Sequence, residues 1–199
     1  MNNLSRIRFF ILATFLAFTF SSCESDDPVE ENDEEVITEV TLIFTEVDGT
    51  GATIGDPFQF VASDPQGIEL GTPSIETVTL TKGKSYKMEI SLYNSIADED
   101  ITEEVEEESD EHQFYFLGTA FVGTPALTYT YADPSGELIG LNGTIEVATD
   151  PVSNNANMRL VLRHDLDKSY PGADNPNFEN FTQAGGETDL DLTFPLVLE

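Results

Sequence analysis

The chain has one cysteine, no tryptophan, two histidines and only eight lysines and arginines among 199 residues. A single cysteine excludes an intrachain disulfide, so any fold must rest on its core. The two histidines, His112 and His164, form neither an H-E-x-x-H nor an H-x-H pair, the ready-made transition-metal spacings. Without tryptophan, a flat platform for a sugar ring would have to come from tyrosines. The few basic residues face 38 acidic ones, a formal net charge of −30. That field repels nucleic acid and anionic lipid headgroups, and leaves cationic partners, divalent ions and uncharged ligands. Also missing are a G-x-S-x-G elbow, a phosphate-cradling glycine loop and a dinucleotide fingerprint. Paired carboxylates of the glycosidase kind discriminate nothing in so acidic a chain. The expectation is a protein that is not an enzyme.

No apolar run reaches the roughly 20 residues of a membrane-spanning helix. What is present is a shorter one, Phe9–Phe20, "FFILATFLAFTF", behind Arg6 and Arg8. A basic start, a short apolar core and small residues after it read as a signal peptide. The small residues lead into Cys23, and "FSSC" resembles a bacterial lipobox, with Phe20 in place of the usual aliphatic residue. That resemblance implies that residues 1–22 are a lipoprotein signal peptide and that Cys23 is the lipid attachment site. It also accounts for a lone thiol in an exported chain. Several acyl chains, each contributing roughly 0.8 kcal/mol per buried CH₂, hold a protein on a bilayer where one is marginal. Cleavage would remove two arginines, leaving six basic against 38 acidic side chains, a net charge of −32.

Residues 24–35, "ESDDPVEENDEE", are eight parts in twelve acidic and have almost nothing to bury. Such composition does not offset the entropy of ordering, so 23–36 is expected to be a disordered acidic tether. Similar stretches follow the cysteine in some Gram-negative lipoproteins, where they act as surface-export signals. The resemblance implies an outer-membrane location, lipid-anchored, on the periplasmic or the cell-surface face. A plain flexible spacer is compatible with the same residues.

Beyond the tether, period-two alternation dominates. Leu190, Leu192, Phe194, Leu196 and Leu198 share one face, and Asp191 and Thr193 the other. Tyr86, Met88, Ile90 and Leu92 alternate with Ser85, Lys87, Glu89 and Ser91, and Val40, Leu42 and Phe44 with Thr41 and Thr45. Weaker versions recur near 57–62, 74–81, 113–118, 126–131, 143–149 and 156–164. About nine strands with one buried face each, joined by Gly-, Pro-, Asp- and Asn-rich turns, predict an all-β domain over 37–199. The expected architecture is an antiparallel β-sandwich of immunoglobulin-like or related Greek-key type. Pro195 removes a ladder donor from the last strand and predicts an edge or a bulge there.

One segment breaks the pattern. "EDITEEVEEESDEHQFYF", residues 99–116, carries nine carboxylates in its first thirteen positions, with Asp98 just before. Asp100 is placed to cap a helix, with Glu103 reaching back and Ile101 and Val105 one turn apart. Like-charge pairs such as Glu103/Glu107 and Glu104/Glu108 oppose it. The prediction is one short acidic helix or loop, leaning on the sandwich through Ile101 and Val105.

Metal is the chemistry these residues suggest first. The carboxylates lack the D-x-[DN]-x-[DN]-G spacing of a Ca²⁺ loop, although Ca²⁺ needs just such oxygens. A second oxygen-rich stretch, residues 164–180, offers Asp165, Asp167, Asp174 and Asn175 around a Pro-Gly turn. If His112 and His164 approach each other, the candidate metal set is Glu107, Asp110, Glu111, His112, His164, Asp165 and Asp167. Spacing alone does not show whether they do. The bland alternative is a histidine hydrogen-bonded at a sheet end; His164 shares strand parity with Met158, Leu160 and Leu162. Arg163 and Lys168 are expected to sit against the acidic segment and lower its repulsion. The glycines of "AGGETD", residues 184–189, should form the turn into the last strand.

Three stretches, "EDITEEVEEESDEHQFYF", "LVLRHDLDK" and "GGETDLDLTFPLVLE", resemble a family of small, uncharacterised lipoproteins of Gram-negative bacteria. Members carry the label of a type 1 periplasmic-binding fold. That fold needs repeated βαβ units and two lobes, and strands without crossover helices do not provide them. The resemblance implies no activity. The function expected is a lipid-anchored envelope protein, a non-catalytic binding or structural module with a cationic or protein partner. The alternatives are a Ca²⁺-stabilised adhesin-like or carbohydrate-accessory domain and, behind it, a metal-dependent enzyme.

Overall fold

The computed structural model describes residues 36–199. The expected signal peptide, Cys23 and all but the last residue of the tether lie outside them.

Alternation builds two sheets that pack face to face. The strands are β1 (Glu39–Val47), β2 (Phe58–Ser63), β3 (Ser74–Ile75), β4 (Val78–Leu80), β5 (Ser85–Tyr93), β6 (Gln113–Leu117), β7 (Leu127–Tyr131), β8 (Asn142–Val147), β9 (Asn155–His164) and β10 (Glu187–Leu198). A six-stranded sheet runs β3-β2-β1-β5-β8-β7, and a four-stranded sheet runs β4-β10-β9-β6. Val40, Leu42 and Phe44 of the first sheet and Leu190, Leu192, Phe194, Leu196 and Leu198 of the second meet in one core, each at most 2% exposed. Burying one such side chain contributes about 1.5–3 kcal/mol. The all-β sandwich read from the alternation is the fold.

Three details differ from that expectation, each for a physical reason. The stretch 74–81 is two strands, not one. Ser74–Ile75 closes the edge of the six-stranded sheet on β2, and Val78–Leu80 joins the four-stranded sheet on β10. Glu76 sits at the crossing and pins it, its backbone N–H donating to Val61 O and its carboxylate accepting from Val61 N at 2.8 Å. The β4–β10 pair is parallel, the one exception among the strand pairs of the described residues. Pro195 lies inside a central strand. It stands opposite Asn157 of β9, one residue before β4 begins to pair at Leu196, so its missing N–H falls beside a locally open edge. The bulge on β10 is elsewhere, between Thr188 and Leu190.

The acidic segment forms helix α1 (Ile101–Glu107). Asp100 caps it by accepting from Thr102 N at 3.0 Å, and Ile101 and Val105 are buried. Thr102 also exchanges hydrogen bonds with the Leu92 backbone, accepting from its N–H at 2.9 Å and donating to its carbonyl at 3.1 Å. The helix is thereby fastened to β5 despite its like-charge pairs.

A second, smaller core lies on the outer face of the four-stranded sheet. Tyr115, Leu117 and Val161 are covered there by Leu166, Ala173 and Phe181. The covering segment is pinned to β6: Gln113 Nε2 and Tyr115 OH donate to Ala173 O, and Phe116 N donates to Pro176 O. Both faces of β6 are buried as a result.

Candidate functional site

Strands β6 and β9 pair antiparallel, with Gln113 opposite Arg163 and Phe114 opposite Leu162. One step further along that register, His112 stands opposite His164. Cross-strand neighbours at such a position lie close enough for their rings to touch. The imidazoles stack with centroids 4.3 Å apart and planes 15° from parallel. His112 is fully buried and His164 is 6% exposed.

Carboxylates surround the pair. Glu108, one turn before His112, places Oε2 3.7 Å from His112 Nδ1 and 3.9 Å from His164 Nε2. Glu111 Oε2 lies 3.4 Å and Asp165 Oδ1 4.0 Å from the same His164 Nε2. Asp165 holds a left-handed backbone, φ 55°, as the chain leaves β9. A fourth carboxylate comes from the interior: Asp189 Oδ2 sits 3.6 Å from His112 Nε2. Asp189 is the extra residue of the β10 bulge, and the bulge re-aims its side chain.

The turn before that bulge is built to hold it. Gly185 and Gly186 have φ of 81° and 71°, as the sequence led us to expect. A Cβ on Gly186 would clash with the His164 carbonyl oxygen, so only glycine permits the approach. Arg163 donates to the carbonyls of Gly185 and Gly186 and to Thr188 Oγ1, with its guanidinium over the Phe181 ring. Burial lowers its pKa, and Asp189 then opposes that shift. Arg163 is thus a clamp on the turn rather than a counter-charge on the acidic segment. Lys168 does lie against that segment, donating to Ser109 O at 2.5 Å, and its pKa is lowered by burial.

Of the seven residues named from the sequence, the structure brings four together: Glu111, His112, His164 and Asp165. Glu107 and Asp110 are exposed. Asp167 closes a turn, accepting from Ser169 N and Ser169 Oγ. Asn175 likewise accepts from Asn177 N, so Asp167 and Asn175 both spend an oxygen on a turn. Two members of the cluster went unnamed. Glu108 had a signal, its spacing of four before His112. Asp189 had none, because simple alternation through Glu187, Asp189 and Asp191 hides a bulge. The tyrosines considered for sugar stacking are mostly structural, with Tyr86, Tyr115 and Tyr129 buried.

Thr188 and Asp189 also line a cleft of about 240 Å³ with Ile37, Ile68 and Leu70, so the β10 bulge borders a second surface feature. No protein-family model, no curated protein and no solved structure matches the chain.

Proposed function

We propose that this protein is a lipid-anchored binding module of the bacterial cell envelope that takes a cation or a cationic protein partner and catalyses no reaction. The observation that carries the proposal is the exposure of the carboxylates around the buried histidines. The side chains of Glu108, Glu111 and Asp165 are 45%, 49% and 66% exposed. Carboxylates half in water attract cations over a distance of about one Debye length, roughly 8 Å at physiological salt. Catalysis instead draws on preorganised groups in a water-excluded site, a setting these side chains do not have. The outer-membrane anchor rests on the sequence: Arg6 and Arg8, the apolar run Phe9–Phe20, and Cys23 after two serines. Among the described residues no helix is long and apolar enough to cross a membrane.

Cross-linking on intact cells tests the binding. The native chain should capture a basic partner or retain a divalent ion, and Glu108→Gln with Glu111→Gln should lose it. Capture that is unchanged in the double variant overturns the assignment of this face. Labelling with a radioactive fatty acid, compared with Cys23→Ser, tests the anchor. A Cys23→Ser chain that stays with the membrane fraction defeats it.

A further inference from the structure

We infer that His164 is the nitrogen ligand of a single divalent transition-metal site completed by Glu108, Glu111 and Asp165, with His112 and Asp189 as positioning residues behind it; this rests on the cation-binding reading above and names its site and ion class. His164 Nε2 is the point on which the cluster converges. Three carboxylate oxygens, from Glu111, Glu108 and Asp165, lie 3.4, 3.9 and 4.0 Å from it. A transition ion such as Zn²⁺ sits about 2.0–2.2 Å from nitrogen and oxygen ligands, so two ligand atoms on one ion are about 3.0–3.5 Å apart. Glu111 already meets that spacing. Glu111, His164 and Asp165 have their ligand atoms within 4.8 Å of one another, whereas Glu108 groups with His112 and His164. Asp165 therefore needs a movement of roughly half an ångström and Glu108 a rotation of its side chain towards the other two carboxylates, both within reach of side chains that stand half in solvent.

The count of charges favours an ion over hydrogen bonds alone. One imidazole nitrogen offers at most one N–H, and that proton satisfies one carboxylate among the three. Even the imidazolium brings a single positive charge to three negative ones. A divalent ion bonds all four atoms at once.

His112 is not a second ligand in this arrangement. An ion binds an imidazole nitrogen in the plane of the ring. The two rings are stacked 4.3 Å apart and nearly parallel, so an ion in the plane of one lies a stacking distance from the plane of the other. His112 instead joins the carboxylates end to end: its Nδ1 faces Glu108 Oε2 at 3.7 Å and its Nε2 faces Asp189 Oδ2 at 3.6 Å. That is the carboxylate–histidine support typically found one layer behind a metal ligand, here holding Glu108 rather than the ion. The β10 bulge that aims Asp189 inward acquires a purpose on this basis.

One nitrogen with three carboxylate oxygens suits borderline Zn²⁺ and the harder Mn²⁺. Ca²⁺ takes six to eight oxygens at longer distances, and a soft ion such as Cu(I) prefers thiolates.

The test is calorimetric titration of Zn²⁺ and Mn²⁺ into the chelator-treated full chain in detergent, with millimolar Ca²⁺ present throughout. One ion per chain should bind despite the Ca²⁺. Glu111→Gln, at an exposed position, should weaken binding at least tenfold, and His164→Gln should abolish it. Asp189→Asn should weaken it by roughly 10–100-fold. Glu103→Gln, on the exposed helix face, should leave it unchanged. Nitrogen chemical shifts give a second readout that does not depend on how the variants fold: Zn²⁺ should move His164 Nε2 strongly and neither nitrogen of His112 comparably. Ca²⁺ that displaces Zn²⁺ at equal concentration, or Zn²⁺ binding that survives Glu111→Gln, overturns the inference while cation binding stands. If no ion binds and cross-linking captures no partner, both the inference and the proposed function fall.

Discussion

Strand β5 of the six-stranded sheet and strand β6 of the four-stranded sheet both alternate, yet β5 meets solvent at every second residue and β6 at none. The six-stranded sheet keeps one face in the core and leaves the other to water, where Lys87 and Glu89 pair at 2.9 Å. The four-stranded sheet is covered on its outer face over β6 and the adjoining end of β9, because the segment after β9 folds back over Tyr115 and Val161, while Asp191, Thr193 and Pro195 of β10 stay exposed. Covering a second face buries whatever polar residues stand near it. His112, Gln113, Arg163 and His164 are all buried at one end of this sheet. A buried polar group must be matched, and matching it drew in the Asp189 bulge, the glycine turn and the carboxylates. The corner of the sheet that is dry on both faces is therefore the one that carries the candidate chemistry.

The sharpest way to break this contrast is to truncate an outward-facing residue in each sheet. Tyr115→Ala, in the second core, should lower the unfolding free energy by about 3–5 kcal/mol, as for other large buried aromatics. Lys87→Ala on the solvent face of β5 should change it by no more than about 0.5 kcal/mol. Urea denaturation of both variants decides; similar losses would mean that the outer face of the four-stranded sheet is not a core.

Alkaline pH probes the same difference without a mutation. Burial pushes the Tyr115 hydroxyl up to about 12 from its ordinary 10.0. A group whose folded pKa is raised contributes stability that is intact below its unfolded pKa and lost as pH rises through the folded one. Stability should therefore begin to fall above pH 10 and go on falling towards pH 12, read by thermal melting. Tyr115→Phe should flatten part of that slope, and an identical slope in the variant would remove Tyr115 from the account.

A third contrast sets two glycines against each other. Gly186→Ala should destabilise by more than about 1 kcal/mol, since its φ of 71° and the nearby His164 carbonyl both oppose a side chain. Gly49, in the β1–β2 turn with open space around it and no positive φ, should accept alanine with little change in melting temperature. Equal melts for the two variants would show that the turn before β10 tolerates rearrangement.

Much of this was legible residue by residue. The inward faces of β1, β5 and β10 follow from alternation, because successive side chains on a strand point to opposite sides. The start of α1 follows from Asp100, and its seating from Ile101 and Val105, because capping and helical spacing are local. Four of the cluster residues were named from composition and from the parity of His164. The separation of Glu111 and Asp165 from Glu107, Asp110 and Asp167 was not, since carboxylates close in sequence project in different directions once a helix and two turns are set.

The alternation, the turns, the capped acidic helix and the charge can all be read along the chain. These depend on residues within a few positions of one another, where backbone geometry alone links cause to result. Which strands pair is settled only by the folded chain. It split 74–81 between two sheets, ran β4 parallel to β10, set His112 opposite His164 across 51 intervening residues, and turned Asp189 inward at a bulge. Strand partners are chosen by the packing of the whole core and by the closure of long loops, and neither is encoded in any one stretch of the chain.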